Sequence, residues 1–361
     1  MTISDDPDLT LRSHVGRMTS SFAPALSPSL ALSSSLEVMT FEETITGTEM
    51  SDDLPAVDCG MNLQSLLGRT TSQPVEVGIV DWLRDLDQAL DLSRESSKPV
   101  FALFQEVPGC SGCKQFGKDV LSNPVVVAAI EDLFVPLLIH NNSGGRDAEV
   151  LAAFGEPAWN FQVVRFLDHN ADDIIERRDR VWETGPLVTR MVETLQLAGQ
   201  PVPKYLRLIE QENSDRLGLV HFAQSCFWVG EMEIGQIDGV VATQAAFMGG
   251  HEVTSVWFDP EEITLTSLTQ QATARGVASI VFADAAGKAE LAGTGHKVKP
   301  IDAKSHRVAP KSDQKRQVRG VSGLGDLSIS QYTKVNAFMR SSLERASAFL
   351  PPSQSDLLAR R

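Results

Sequence analysis

The sequence predicts an α/β (α+β) protein of two domains behind a disordered N-terminal segment. Three observations predict it. From about Val75 onward, short apolar runs of strand length alternate with stretches at helical spacing. Two prolines in Gly199-Gln200-Pro201-Val202-Pro203 interrupt the alternation and mark a linker. The first seventy or so residues are rich in Ser, Thr, Pro and acids and show weak periodicity. The expected division is therefore 1–74 disordered, 75–198 a first domain, 199–216 a linker, 217–350 a second domain and 351–361 a tail.

Taken in order, the N-terminal segment reads as disorder, with a start at Met50 or Met61 as the alternative. In Asp81–Leu92 the apolar residues fall at 82/83, 86, 89/90 and 92, the spacing of a helix. Lys98-Pro99 ends it, because proline holds the preceding residue in extended geometry. Val100–Phe104 is a short buried strand, Lys114–Leu121 a helix, Phe134–Ile139 and Phe161–Leu167 further strands, and Leu187–Leu197 a closing helix. After the linker come a strand at Leu219–Ala223 and a helix after Cys226. Strands at Val240–Phe247 and Glu252–Phe258, a helix at Thr264–Ala274 and a strand at Ala278–Phe282 follow. Residues 287–325 read as polar loop, and Ile329–Phe349 as one terminal helix.

The chain has 361 residues, 42% of them hydrophobic, and a net charge of −15. That acidity excludes a nucleic-acid binder, which needs a basic footprint. No apolar run reaches the roughly 18 residues of a membrane helix, so no membrane partner is expected and the location reads as cytoplasmic. Four cysteines are too few for a disulfide scaffold. Two of them, Cys110 and Cys113, form Cys-x-x-Cys, which in a reducing compartment points to redox chemistry. No second pair completes a four-ligand zinc site, so neither metal nor cofactor is expected. Cys59 lies in the N-terminal segment and carries no role.

Strand, Cys-x-x-Cys, helix, strand, proline, strand is an order that resembles the thioredoxin superfamily over roughly Val80–Leu197. The resemblance implies that Cys110 is the exposed attacking thiolate, stabilised at a helix N-terminus, and Cys113 the resolving thiol. It also implies that Pro157 is the family's cis-proline beside the dithiol. Pro108-Gly109 departs from the pattern, since a Trp usually precedes the first Cys. On residue type alone, the pair could equally be buried or metal-binding.

The second constellation is Ser225-Cys226-Phe227-Trp228-Val229-Gly230-Glu231, then Gly249-Gly250-His251-Glu252-Val253, closing on Phe258-Asp259-Pro260. Over about Leu219–Phe282 it resembles a shortened class A methionine sulfoxide reductase, the class that acts on the S epimer. The resemblance makes Cys226 the nucleophile, Phe227 and Trp228 the pocket for the substrate methyl, and Glu252 the acid that protonates the departing oxygen. His251 is a candidate replacement donor. The family's segment between Gly-Gly and Glu, which supplies a Tyr to the oxygen, is missing, and Phe247 stands where a Tyr is common. No Cys follows Cys226, so its sulfenic acid would be recycled by Cys110/Cys113, with oxidised proteins as partners and an outside thiol reductant. The ordinary readings are an inert thiol for Cys226, a solvated acid for Glu252, a packing residue for His251 and a core aromatic for Trp228. The rival function is a disulfide reductase whose second domain only binds.

Overall fold

The computed structural model describes residues 73–158, 162–319, 321 and 327–359. The expectation for the N-terminal segment, Cys59 included, lies outside the described residues.

The first half is built on strands β1 (Val100–Gln105), β2 (Val135–His140), β3 (Val163–Leu167) and β4 (Arg178–Asp179), in the order β2-β1-β3-β4. β1 runs parallel to β2 and antiparallel to β3. Every residue of β1 is buried, as expected of a strand covered on both faces. Its side chains alternate between two cores. Phe101 and Leu103 pack with Phe116, Val126, Ile130, Leu187 and Met191, while Val100, Ala102 and Phe104 pack with Ala89, Val150 and Leu151. These partners come from helices α1 (Leu86–Ser96), α2 (Ser111–Asp119), α3 (Pro124–Leu133), α4 (Arg146–Ala153) and α5 (Thr184–Leu197). Asp85 caps α1 through the Gln88 N–H, which is why that helix begins at Leu86 rather than at Asp81. Two of these helices escaped the sequence reading. In α3 nearly every position is apolar, so no polar face reveals the period, although Asn123 caps it and Pro124 opens it.

The expected linker contains a helix, α6 (Lys204–Glu212). Pro203 precedes it and supplies extended geometry rather than ending structure. Tyr205, Leu206 and Ile209 enter the first core. On its other side, Gln211 donates to Glu262 and Glu212 accepts from the Ser330 backbone.

The second sheet has strands β5 (Gly218–Gln224), β6 (Val240–Met248), β7 (His251–Phe258), β8 (Ile280–Ala283), β9 (Val298–Pro300) and β10 (Arg307–Val308), in the order β10-β6-β7-β5-β8-β9. β6 and β7 form a hairpin closed by Gly249-Gly250, with φ of +55° and +79°, the two left-handed positions a tight hairpin turn demands. Helices α7 (Phe227–Gly235) and α8 (Leu265–Ala274) pack on one face around Phe222, Ile234, Val256 and Leu268. Segment 287–325, expected to be loop, contributes β9, β10 and two short 3-10 turns. Its first residues belong to α9 (Ala285–Glu290). The expected terminal helix Ile329–Phe349 is two, α10 (Ile329–Phe338) and α11 (Leu343–Ser347), and the expected tail holds a third, α12 (Pro352–Ala359). Ser342 caps α11, and Pro351-Pro352 forces the second break. No helix among the described residues is long and apolar enough to cross a membrane.

Candidate active site

β1 ends at Gln105, and the chain turns through Glu106–Gly109 to deliver Cys110 as the N-cap of α2. Cys110 is exposed and Cys113, one turn into the helix, is 1% exposed. Their sulfurs are 3.5 Å apart, a hydrogen-bonded dithiol rather than a bond of about 2 Å. The Cys113 backbone N–H stabilises the Cys110 thiolate and, with the Cys113 thiol and the Gly112 N–H, holds its pKa below the ordinary 9.0 against slight burial and the Glu106 charge. Burial, then the Cys110 thiol and its charge, pushes Cys113 up to about 11. Of the two thiols, Cys110 is therefore the more readily ionised.

Gly109 lies tight against this pair: a Cβ there would sit 2.5 Å from the Glu106 carbonyl oxygen and 2.7 Å from the Cys113 Cβ. Its N–H donates to the buried Glu76 carboxylate at 2.9 Å. A small residue is therefore required where the family usually has Trp. The indole comes instead from Trp182, whose edge meets Phe116 at 6.0 Å and which, with Cys110, Pro186 and Asn213, lines a cleft of about 770 Å³. Sequence reading missed Trp182, since nothing in its local pattern ties it to Cys110. The cis-proline carried to Pro157 is not there: the cis peptide among the described residues is Val107–Pro108. Pro157 does not line the cleft, and its neighbour Glu156 is bound instead by Arg165 and Arg177. Oxygen and sulfur atoms of Glu106, Cys110 and Cys113 lie within 4.8 Å of one another. Three donors are one short of a structural zinc set, and we assign no metal.

Cys226 is likewise a helix N-cap, extended at φ −153° and half-buried, at the end of β5. Glu252 faces Gln224 across the β5–β7 ladder and Phe247 across β6–β7. That register brings its carboxylate to the first turn of α7, where it accepts the Phe227 N–H at 2.9 Å. Cys226 and Glu252 are thus brought to the same helix N-terminus. His251 is not: successive strand residues point to opposite faces, and its ring lies by Phe282, 6.4 Å between centroids. Phe227 is buried and meets Trp228 and Phe247 edge-on at 6.0 and 5.5 Å.

The basic stretch after β9 docks here rather than lying in solvent. The Trp228 indole N–H donates to the Asp313 carbonyl at 3.0 Å, and the Arg316 guanidinium lies 4.6 Å over its ring. Gln314 both accepts from and donates to Ala245 on β6. Lys315 donates its backbone N–H and its ammonium to Glu231, which is fully buried on α7. The Cys110 cleft and the Cys226 site share no lining residue among those described.

A family model described as thioredoxin-like matches residues 81–168. The chain thus carries a thioredoxin-like domain within a mixed α/β structure. Among solved structures, it is similar to a DsbH oxidoreductase at 18% identity, covering 38% of this chain and 95% of that one, with a TM-score of 0.29. No curated protein matches the chain.

Proposed function

We propose that the chain is a thiol–disulfide oxidoreductase whose Cys226 site reduces methionine-S-sulfoxide in peptides or proteins, with Cys110/Cys113 as the recycling dithiol. The observation that carries the second step is the Glu252 carboxylate held by the Phe227 N–H at the start of the helix that Cys226 caps. The family match ends at residue 168, so this part rests on its own geometry.

The Cys226 thiolate attacks the sulfoxide sulfur, and protonated Glu252 supplies a proton to the oxygen. The S–O bond breaks, the thioether leaves and Cys226 becomes a sulfenic acid. Cys110 attacks that sulfur and releases water. Cys113 then attacks Cys110, frees Cys226 as a thiol and leaves a Cys110–Cys113 disulfide for an external thiol reductant. Cys226 does not line the Cys110 cleft, so in this reading the hand-over proceeds through a change of conformation or between two copies.

The second reading keeps the dithiol as a disulfide reductase and makes the Cys226 region a binding module. Arg316 and Asp313 on Trp228, in the face a methyl pocket would use, favour it. Single-turnover reduction of a methionine-S-sulfoxide peptide by the pre-reduced chain, with mass mapping of its cysteines, separates the two. Product and a Cys226 disulfide to Cys110 or Cys113, both lost in Cys226→Ser, support the first. No product, with Cys226 still a thiol and disulfide reduction intact, supports the second.

A further inference from the structure

The neighbourhood of Cys226 is cationic in a chain of net charge −15. Residues 303–319 hold six Lys or Arg and one acid, Asp313. Lys315 is consumed by Glu231. Two of the others are parked on the aromatic cluster itself. Arg316 lies 4.6 Å over Trp228, and Arg307 lies 5.0 Å over Phe247. Both arginines are exposed, and neither has an ion-pair partner among the described residues. Arg307 sits on β10, directly opposite Phe247 in the ladder and at the edge of the sheet, so its position is set by backbone pairing. A guanidinium stacked on a ring keeps its N–H edge free for a planar anion.

We propose that Arg307 and Arg316 are specificity residues that select anionic substrates for Cys226, in the first instance methionine sulfoxide flanked by Asp or Glu. The substrate class rests on the sulfoxide reading above; the selection of anions at Cys226 does not. The two cations would hold the flanking carboxylate of such a substrate without touching the reacting sulfur. The stacking also ties binding to the pocket: a carboxylate drawn to Arg316 moves the guanidinium relative to Trp228, the face an incoming methyl needs.

The test uses the full reduced chain and two probes. The first is the rate of Cys226 modification by iodoacetate, an anion, relative to neutral iodoacetamide, read by mass mapping. Two cations stacked on the rings beside Cys226, screened over about 10 Å at 0.1 M salt, should favour the anion roughly twofold. Arg307→Gln with Arg316→Gln should lose that factor, the Lys double variant should keep it, and high salt should flatten it. The second is single-turnover reduction of methionine-S-sulfoxide peptides with Glu or Lys flanks; the Glu peptide should react faster, and only in the parent. An iodoacetate ratio that is the same in parent and Gln variant overturns the proposal. A ratio that moves as expected while neither peptide is reduced upholds anion selection and overturns the sulfoxide reading instead.

Discussion

Removing the Lys315 ammonium is expected to destabilise the second sheet by about 3 kcal/mol, because it strands a carboxylate that has no access to water. Glu231 is fully buried and the Lys315 side chain is 11% exposed. The ammonium also donates to the Thr243 carbonyl and hydroxyl, so its loss leaves acceptors on β6 unpaired. Breaking a buried pair from one side generally costs 3–5 kcal/mol, and the residual exposure of Lys315 places it near the lower end. Glu231→Gln keeps an acceptor for the Lys315 N–H and should cost about 1–3 kcal/mol. Glu231→Leu with Lys315→Met removes both charges and should recover most of the loss. The assay is urea unfolding, since guanidinium salt would screen the pair. As Lys315 holds the segment over Trp228, Lys315→Met should also speed alkylation of Cys226. A cost under about 1 kcal/mol, or a double-mutant coupling within about 0.5 kcal/mol of zero, would refute the claim that this pair fastens the segment.

Three further outcomes are expected. Cys110 should be alkylated first at neutral pH, and Cys113, pushed up to about 11 from an ordinary 9.0 by burial and then by Cys110, should carry about a hundredfold less thiolate than an unperturbed thiol; mass-mapped alkylation rates in the parent would report the gap, which should narrow in Cys110→Ser. Gly109→Ala should cost about 1–3 kcal/mol in urea unfolding by driving a Cβ into the Glu106 carbonyl and Cys113, and should shift the dithiol equilibrium with glutathione. His221 is buried and bonded to Ser255, and burial and then His306 lower its pKa from 6.5 to about 4. The unfolded chain therefore binds its proton first: stability should be full above pH 6.5, fall by up to about 3 kcal/mol on acidification to pH 4, and lose that slope in His221→Gln.

The sequence exposed what is local and hid what is brought together by tertiary contact. β1 was legible because five apolar residues follow Lys98-Pro99 and run into Cys-x-x-Cys. The hairpin was legible through Gly249-Gly250, and the placement of Glu252 beside Cys226 follows from its register. α3 was hidden because burial on all sides erases amphipathic period. α6 was hidden because two prolines read as a break, although the second only starts a helix. Trp182, Arg307 and Arg316 reach their sites from 72 to 90 positions away in sequence, and no spacing rule connects them. The Pro157 expectation failed because order of elements was taken for geometry: Glu156, next to Pro157, is held in ion pairs with Arg165 and Arg177, which serve the sheet and not the dithiol.

Both thiol sites use one structural device. A strand ends, the next residues turn, and an extended Cys stands at the N-cap of a helix. In each case a residue brought from elsewhere decides the chemistry. At Cys110 it is a second thiol one helical turn on, so the site can accept and pass a pair of electrons as a disulfide. At Cys226 it is the carboxylate of Glu252 from a neighbouring strand, which on the sulfoxide reading proposed above protonates the departing oxygen and leaves a sulfenic acid for another thiol to resolve. No Cys follows Cys226 in the chain. On that proposed reading, what the second site lacks the first supplies, and this complementarity is the argument for joining the two sites in one redox cycle.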